Sequence, residues 1–143
     1  MYKKKALIIN VLIAILLISS IHVLGSKSDD TTILEIADVR GGIGEVTADI
    51  KNIGTITANN FLITISVNGG LFNKINILSE CSGCGGCGTT IEAGEIKSES
   101  TLESDFIIGF GKIDIIVTAE ADNADIISIE TNGFVIGPLV LIS

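Results

Sequence analysis

Tryptophan is absent from this chain of 143 residues, and tyrosine, histidine and proline occur once each, as Tyr2, His22 and Pro138. Tyr2 and His22 both lie in the first 25 residues, so residues 26–143 have neither type. Without histidine, His-based triads, His-centred general acid/base pairs and His-ligated zinc are all excluded there. Without tryptophan or tyrosine there is no aromatic platform on which sugars or bases stack. The chain also lacks a Ser-x-x-Lys pair, a G-x-x-x-x-G-K-[ST] loop and a G-x-G-x-x-G at a strand-to-helix junction. It has no Asn-x-Ser/Thr acceptor site for glycosylation. The reading is a non-enzymatic protein with no cofactor. Positive charge is scarce as well: beyond residue 25 there are Lys27, Arg40, Lys51, Lys74, Lys97 and Lys112 against all 17 acids, a formal charge of 6 minus 17, or −11. A polyanion is repelled by such a surface, so nucleic acid is excluded as a partner.

The N-terminus has the most distinct pattern. Lys3, Lys4 and Lys5 precede an apolar run from Ala6 to Leu24, broken only by Asn10, Ser19, Ser20 and His22. Cations retained at the cytoplasmic face, followed by that much apolar length, predict an export signal or a single membrane-spanning helix over residues 1–25. Val23-Leu24-Gly25 is a poor small-x-small cleavage site, which favours a retained anchor over secretion. The first cysteine is Cys81, too far away for a lipoprotein anchor. The expected location is the cell membrane with the domain outside the cytoplasm, or the exterior if the segment is cleaved. Residues 26–32 (SKSDDTT) read as a polar linker. Residues 33–143 have the size of one domain with a single core.

In that domain the apolar period is two. Ile33, Val39, Val46, Ala48, Ile50, Phe61, Ile63, Ile65 and Val67 alternate with polar residues, as half-buried strands require. The pattern predicts strands over 33–39, 43–52, 59–68, 71–78, 95–103, 112–120 and 126–136. Between them, Gly41-Gly42, Asn52 to Gly54, Asn68 to Gly70, Gly109 to Gly111 and Asp122-Asn123 supply turn chemistry. About seven short strands at this spacing predict an all-β, immunoglobulin-like antiparallel β-sandwich. The Cys–Trp–Cys core of that topology is missing, so branched aliphatics with Phe61, Phe106 and Phe110 are expected to fill the interior.

Ile50-Lys51-Asn52-Ile53-Gly54, then Ala58-Asn59-Asn60-Phe61 and the alternating Leu62 to Val67 ending in Asn68-Gly69, resembles the core of CARDB-type domains. Ala93-Gly94-Glu95 resembles the later A-G-E turn of that family. Gly111 to Ala119 with Asp122-Asn123 resembles its penultimate strand and Asp-Asn turn. The resemblance covers roughly residues 33–125. It implies an immunoglobulin-like sandwich of prokaryotic cell-surface proteins, with an adhesive or structural role and with other cell-envelope proteins, or copies of itself, as partners.

Three further features invite chemistry. Glu80-Cys81-Ser82-Gly83-Cys84-Gly85-Gly86-Cys87-Gly88 places three sulfurs at successive C-x-x-C spacing. A ferredoxin-type run needs its fourth cysteine at position 91, where Ile91 stands, and Glu80 or a second chain would have to complete a metal site. In an oxidising compartment, one disulfide among Cys81, Cys84 and Cys87 with one thiol left over is favoured, and the pairing stays open. A small exported metal-binding or redox protein using this loop is the alternative function. Glu120, Asp122, Asn123 and Asp125 form an oxygen-rich turn that could hold calcium, although a solvated acidic turn is favoured. The apolar tail Gly133 to Ser143 is too short to span a bilayer and is expected to be the last strand of its own sandwich, with a strand donated to another subunit as the alternative.

Overall fold

The computed structural model describes residues 30–81 and 90–143. Residues 1–25, most of the 26–32 linker and the segment 82–89 with Cys84 and Cys87 lie outside the described residues. Among the described residues no helix is long and apolar enough to cross a membrane.

The chain forms β1 (Leu34–Gly41), β2 (Val46–Asn52), β3 (Ala58–Asn59), β4 (Leu62–Gly69), β5 (Ile75–Cys81), β6 (Thr90–Ile91), β7 (Ile96–Ser100), β8 (Gly109–Ala121), β9 (Ala124–Gly137) and β10 (Leu139–Ile142). A three-stranded sheet has the order β1-β2-β7 and a five-stranded sheet the order β10-β9-β8-β4-β5, while β3 and β6 form a short separate pair. Every strand pair is antiparallel. The fold is therefore all-β, and one aliphatic core lies between the two larger sheets.

Register explains the core. In β4, Ile63, Ile65 and Val67 stand opposite Ala119, Val117 and Ile115 of β8, and all six are buried. Val46, Ala48 and Ile50 of β2 join the same cluster from the facing sheet. Each fully buried Ile or Val contributes about 1.5–3 kcal/mol relative to exposure. Phe61 fills the largest share as a single side chain, at 1% exposure. Phe106 and Phe110, expected inside, are about half exposed instead. Phe110 begins β8 on the outer face of its sheet, opposite Ile136, and Phe106 sits in the loop before β8.

Several boundaries move for local reasons. The expected strand 71–78 starts only at Ile75, because Leu71–Asn73 form a single turn and the backbone at Gly69, Gly70, Phe72 and Asn73 has positive φ. The expected strand 59–68 is divided at Asn60, also at positive φ. Strand β7 ends at Ser100, whose hydroxyl accepts from Leu102 N at 3.2 Å and starts a short 3-10 turn over Thr101–Glu103. The tail turns at Gly137-Pro138 and pairs with its own β9, Val140 lying opposite Val135 and both being buried.

Polar groups inside are few and tied. Asn52 is fully buried; its amide donates to Ile56 O at 2.8 Å and Ile91 O at 3.0 Å, and its Oδ1 accepts from Gly54 N at 3.0 Å. One side chain thus holds the 53–57 loop and β6 against the end of β2. Gly54 is needed there because a Cβ would come within 2.3 Å of Thr31 O. Thr31 and Thr32, expected in the linker, are held to the domain: Thr55 N donates to Thr31 O at 2.8 Å and Asn123 Nδ2 to Thr32 Oγ1 at 2.8 Å.

Glu99 projects from β7 into the interior at 3% exposure and accepts from Ser79 Oγ at 3.1 Å. Burial pushes its pKa up, the Ser79 hydrogen bond acts against that, and nearby Glu103 adds to it. Because the folded pKa is raised, the protonated form is favoured by folding. Its contribution is full below the unfolded value of about 4.3 and is lost as pH rises through the folded pKa. Glu99→Gln removes this dependence, so denaturant melts from pH 4 to pH 7 are expected to show the variant gaining on the wild type as pH rises. Core register has its own test. Ile65→Ala is expected to cost about 2–5 kcal/mol in the same melts. Thr64→Ala, on the outer face, is expected to cost under about 1 kcal/mol.

Candidate interaction surface

Among the described residues, those singled out from sequence do not assemble into a reactive site. Cys81 ends β5 facing the core and is disulfide-bonded. Cys84 and Cys87 lie outside the described residues. Glu80 precedes Cys81 in the same strand and is exposed, so the two side chains leave opposite faces of the sheet and Glu80 does not complete a ligand set with Cys81. Among the described residues no group of three His, Cys, Asp or Glu side chains is placed to hold a metal.

The acidic turn is occupied by structural hydrogen bonds. Asn123 Oδ1 accepts from Asn59 N at 2.9 Å, and its amide donates to Thr32 Oγ1 and to Thr57 O at 2.9 Å. Asp122 accepts from the Asn60 amide. The β8–β9 turn is thereby tied to β3 and to the N-terminal entry, whereas Glu120 belongs to β8 opposite Leu62.

On the flank between β1 and the β9–β10 hairpin is an open groove of about 590 Å³, lined by Ile36, Val39, Ile129, Val140 and Ile142 with Arg40 at its side. Arg40 donates to both Asp38 and Asp49. Its hydrogen bond to Asp49, ahead of that to Asp38, holds the guanidinium above its ordinary pKa, and the same bond holds the Asp49 carboxyl low. One cation thus faces two carboxylates, and each of the three groups already has a partner.

The unusual surface is one end of the sandwich. Strand β1 runs from Leu34, beside the N-terminal entry, to Gly41, a length of about 25 Å. At the Gly41 end four connections meet. Gly44 N donates to Pro138 O at 2.6 Å, Ile107 N to Gly44 O at 2.8 Å and Gly70 N to Lys112 O at 2.7 Å, while Ile43 bridges Leu139. These connections carry Phe72 at 83% exposure, Ile43 at 69% and Ile108 at 66%, with Leu71 and Phe106 also exposed, and the adjoining strand ends expose Phe110, Ile136 and Leu139. Phe110 packs edge-on against Phe134, ring centres 5.3 Å apart. Phe72, Phe106 and Phe110 alone leave roughly 300–450 Å² of aromatic surface in water. The exposed aliphatic residues of the same end add to it.

Backbone geometry displays these side chains. Phe72 has φ 60 and ψ 26, a left-handed conformation in which a bulky residue is an outlier costing on the order of 1–3 kcal/mol. Gly44, at φ 76, has no Cβ where one would fall 2.0 Å from the Phe106 ring, so the ring lies across this loop. The opposite end also exposes Ile33, Ile53, Ile56 and Ile126, but without an aromatic residue and beside Asp30, Asp122 and Asp125.

No protein-family model matches the chain, so the CARDB-type resemblance has no support beyond its turn motifs, and no curated protein matches it either. Among solved structures it is similar to the archaellum periplasmic stator protein FlaG from Sulfolobus acidocaldarius, at 14% identity and a TM-score of 0.45, over 69% of this chain and 98% of that one. It is also similar to a Bacteroides uniformis beta-glucuronidase, at 9% identity and a TM-score of 0.42, over 73% of this chain but only 13% of that one. A Bifidobacterium adolescentis GH3 beta-glucosidase is similar at 14% identity and a TM-score of 0.39, over 69% and 17%. Likenesses this weak carry no functional argument.

Sequence pattern alone misses Phe72 because its segment alternates as strands do, and it misplaces Phe110 because a phenylalanine beside aliphatics reads as core. The signal available was the double glycine before Leu71, which marks a change of backbone direction. Phe72→Asn is expected to leave stability unchanged or raise it by up to about 1 kcal/mol, because Asn tolerates the left-handed region and nothing buried is lost. A loss above about 2 kcal/mol in chemical denaturation would show that Phe72 is a packing residue instead.

Proposed function

We propose that this chain is an exported, non-enzymatic cell-envelope module, an immunoglobulin-like sandwich with a structural or adhesive role. It is held outside the cytoplasm by residues 1–25, or released if that segment is cleaved. The observation that carries the reading is the polarity of the domain. Its N-terminal entry lies at one end, among Asp30, Asp122 and Asp125. The exposed phenylalanines lie at the other, presented by tight connections rather than by a catalytic cleft. A tethered domain of this shape turns its acidic end to the membrane and its aromatic end outward. The CARDB-like turn motifs support the same class of role, and the disulfide at Cys81 suits an oxidising compartment.

The test is localisation. Replacing Leu12, Ile15 and Leu16 with Asp places three charges in the apolar run, each costing about 2.5–3.5 kcal/mol at the centre of a membrane helix. The variant is expected to remain in the cytoplasm, while the wild type fractionates with membranes or the medium; mass spectrometry of the exported form then tells an intact N-terminus from a cleaved one. Unchanged export of the variant would defeat the proposal.

A further inference from the structure

We propose that the aromatic end binds a second copy of this chain end to end, about a twofold axis, so that two tethered domains join tip to tip. The outward direction of the tip rests on the tethered, exported reading of the domain; the contact itself rests on charge, area and shape.

Charge is the first argument. The connections at this end with the strand ends beside them, residues 41–45, 70–74, 101–112 and 136–139, contain Lys74 and Lys112 against Glu45, Glu103 and Asp105, a net −1. The rest of residues 26–143 holds four cations against fourteen acids, a net −10. Two copies approaching side by side bring these bodies together, whereas tip-to-tip contact keeps them as far apart as the fold permits, with the near-neutral surface between them. Both signs of charge at the rim also suit a twofold contact, in which each lysine of one copy can meet an acid of the other. Like charges on the body act as the repulsive element that confines association to the tip.

Area is the second. A stable interface buries about 800 Å² on each partner. The three exposed phenylalanines supply roughly 300–450 Å² of this, and Ile43, Ile108 and Leu71 extend it. Exposed apolar and charged side chains occur together at this end, as they do in protein contacts. Lipid is a poorer occupant: the end faces away from the tethering membrane, and its three carboxylates are repelled by anionic headgroups. Phe72 adds a third argument, since a strained and almost fully exposed aromatic residue is suited to entering a pocket on a partner.

Full-length protein reconstituted into neutral phosphatidylcholine vesicles tests the idea, because many weak contacts between two vesicles act together. Protein-bearing vesicles are expected to cluster in dynamic light scattering. The double variant Phe72→Asn with Phe110→Ser is expected to slow clustering at least about tenfold while still melting cooperatively, the Phe110–Phe134 edge contact being the packing lost, whereas Leu78→Asp, on the exposed face of β5, leaves clustering intact. Bare vesicles labelled with a second dye should stay out of the clusters. Their capture would show that the tip takes lipid, and absent clustering, or clustering insensitive to the double variant, would overturn the inference. If the chain fails to float with vesicles, the tethering reading falls. Sedimentation of the soluble chain then decides the contact: a dimer that the double variant makes monomeric upholds it, and a wild-type monomer refutes it.

Discussion

Burial of one aliphatic face of the β4–β8 pair is the constraint on which the rest of this domain depends. These strands are central in the five-stranded sheet, and their inward residues are almost all Ile or Val, side chains that pack well on a pleated surface and lose little rotamer freedom there. The facing β1-β2-β7 sheet has fewer strands: β7 reaches β5 through Glu99 and Ser79, the end of β1 lies beside β10, and the β9 flank stays partly open. The groove beside Val39 and Ile129 is a consequence of that mismatch in sheet size.

A core of this kind is non-directional, and a few polar groups make the arrangement unique. Asn52 satisfies three backbone groups from one buried position and so determines where the 53–57 loop and β6 must lie. Ser79 and Glu99 link the two sheets, and Ser104 donates to Ser79 at 3.0 Å to extend the chain of bonds. Val46 N, which would otherwise lack a partner at the start of β2, donates to the buried Thr101 hydroxyl at 3.0 Å. That last bond spans 55 residues of sequence, and bonds of this reach tie distant segments that the aliphatic core alone would hold without register.

The two ends of the sandwich have different chemistry for the same structural reason: antiparallel strands deliver every connection to one end or the other. The N-terminal entry, the 53–57 loop and the acidic β8–β9 turn share one end, tied by Asn123. The connections bearing Ile43, Phe72, Phe106 and Pro138 share the other, three of them tied through Gly44 and the Phe72 turn held to β8 by Gly70. The confinement of the exposed phenylalanines to one end comes from which loops carry which residues. It gives the domain a direction along its long axis and a tip distinct from its body.

Much of the fold was legible in local pattern. The period-two alternation from Ile63 to Val67 marks its own inward face, because successive strand residues must point to opposite sides, and the Asn52-x-Gly54 and Asp122-Asn123 pairs mark turns through their side-chain bonds and backbone freedom. The absence of histidine beyond residue 22 excluded several kinds of site on composition alone. The role of Phe106 and Phe110 was not legible. A phenylalanine beside aliphatics reads as core in any window of sequence, and only the register of β8 with β9 turns Phe110 outward. Likewise the turn that carries Phe72 is joined, by Gly70 N donating to Lys112 O, to a strand some forty residues away. Alternation and composition are properties of neighbours along the chain, so the sequence by itself determined most of the longer strands and their inward faces, though not the break at Asn60 or the turn at Leu71–Asn73. Which loops meet at each end is a property of long-range pairing, and only the tertiary structure decided it.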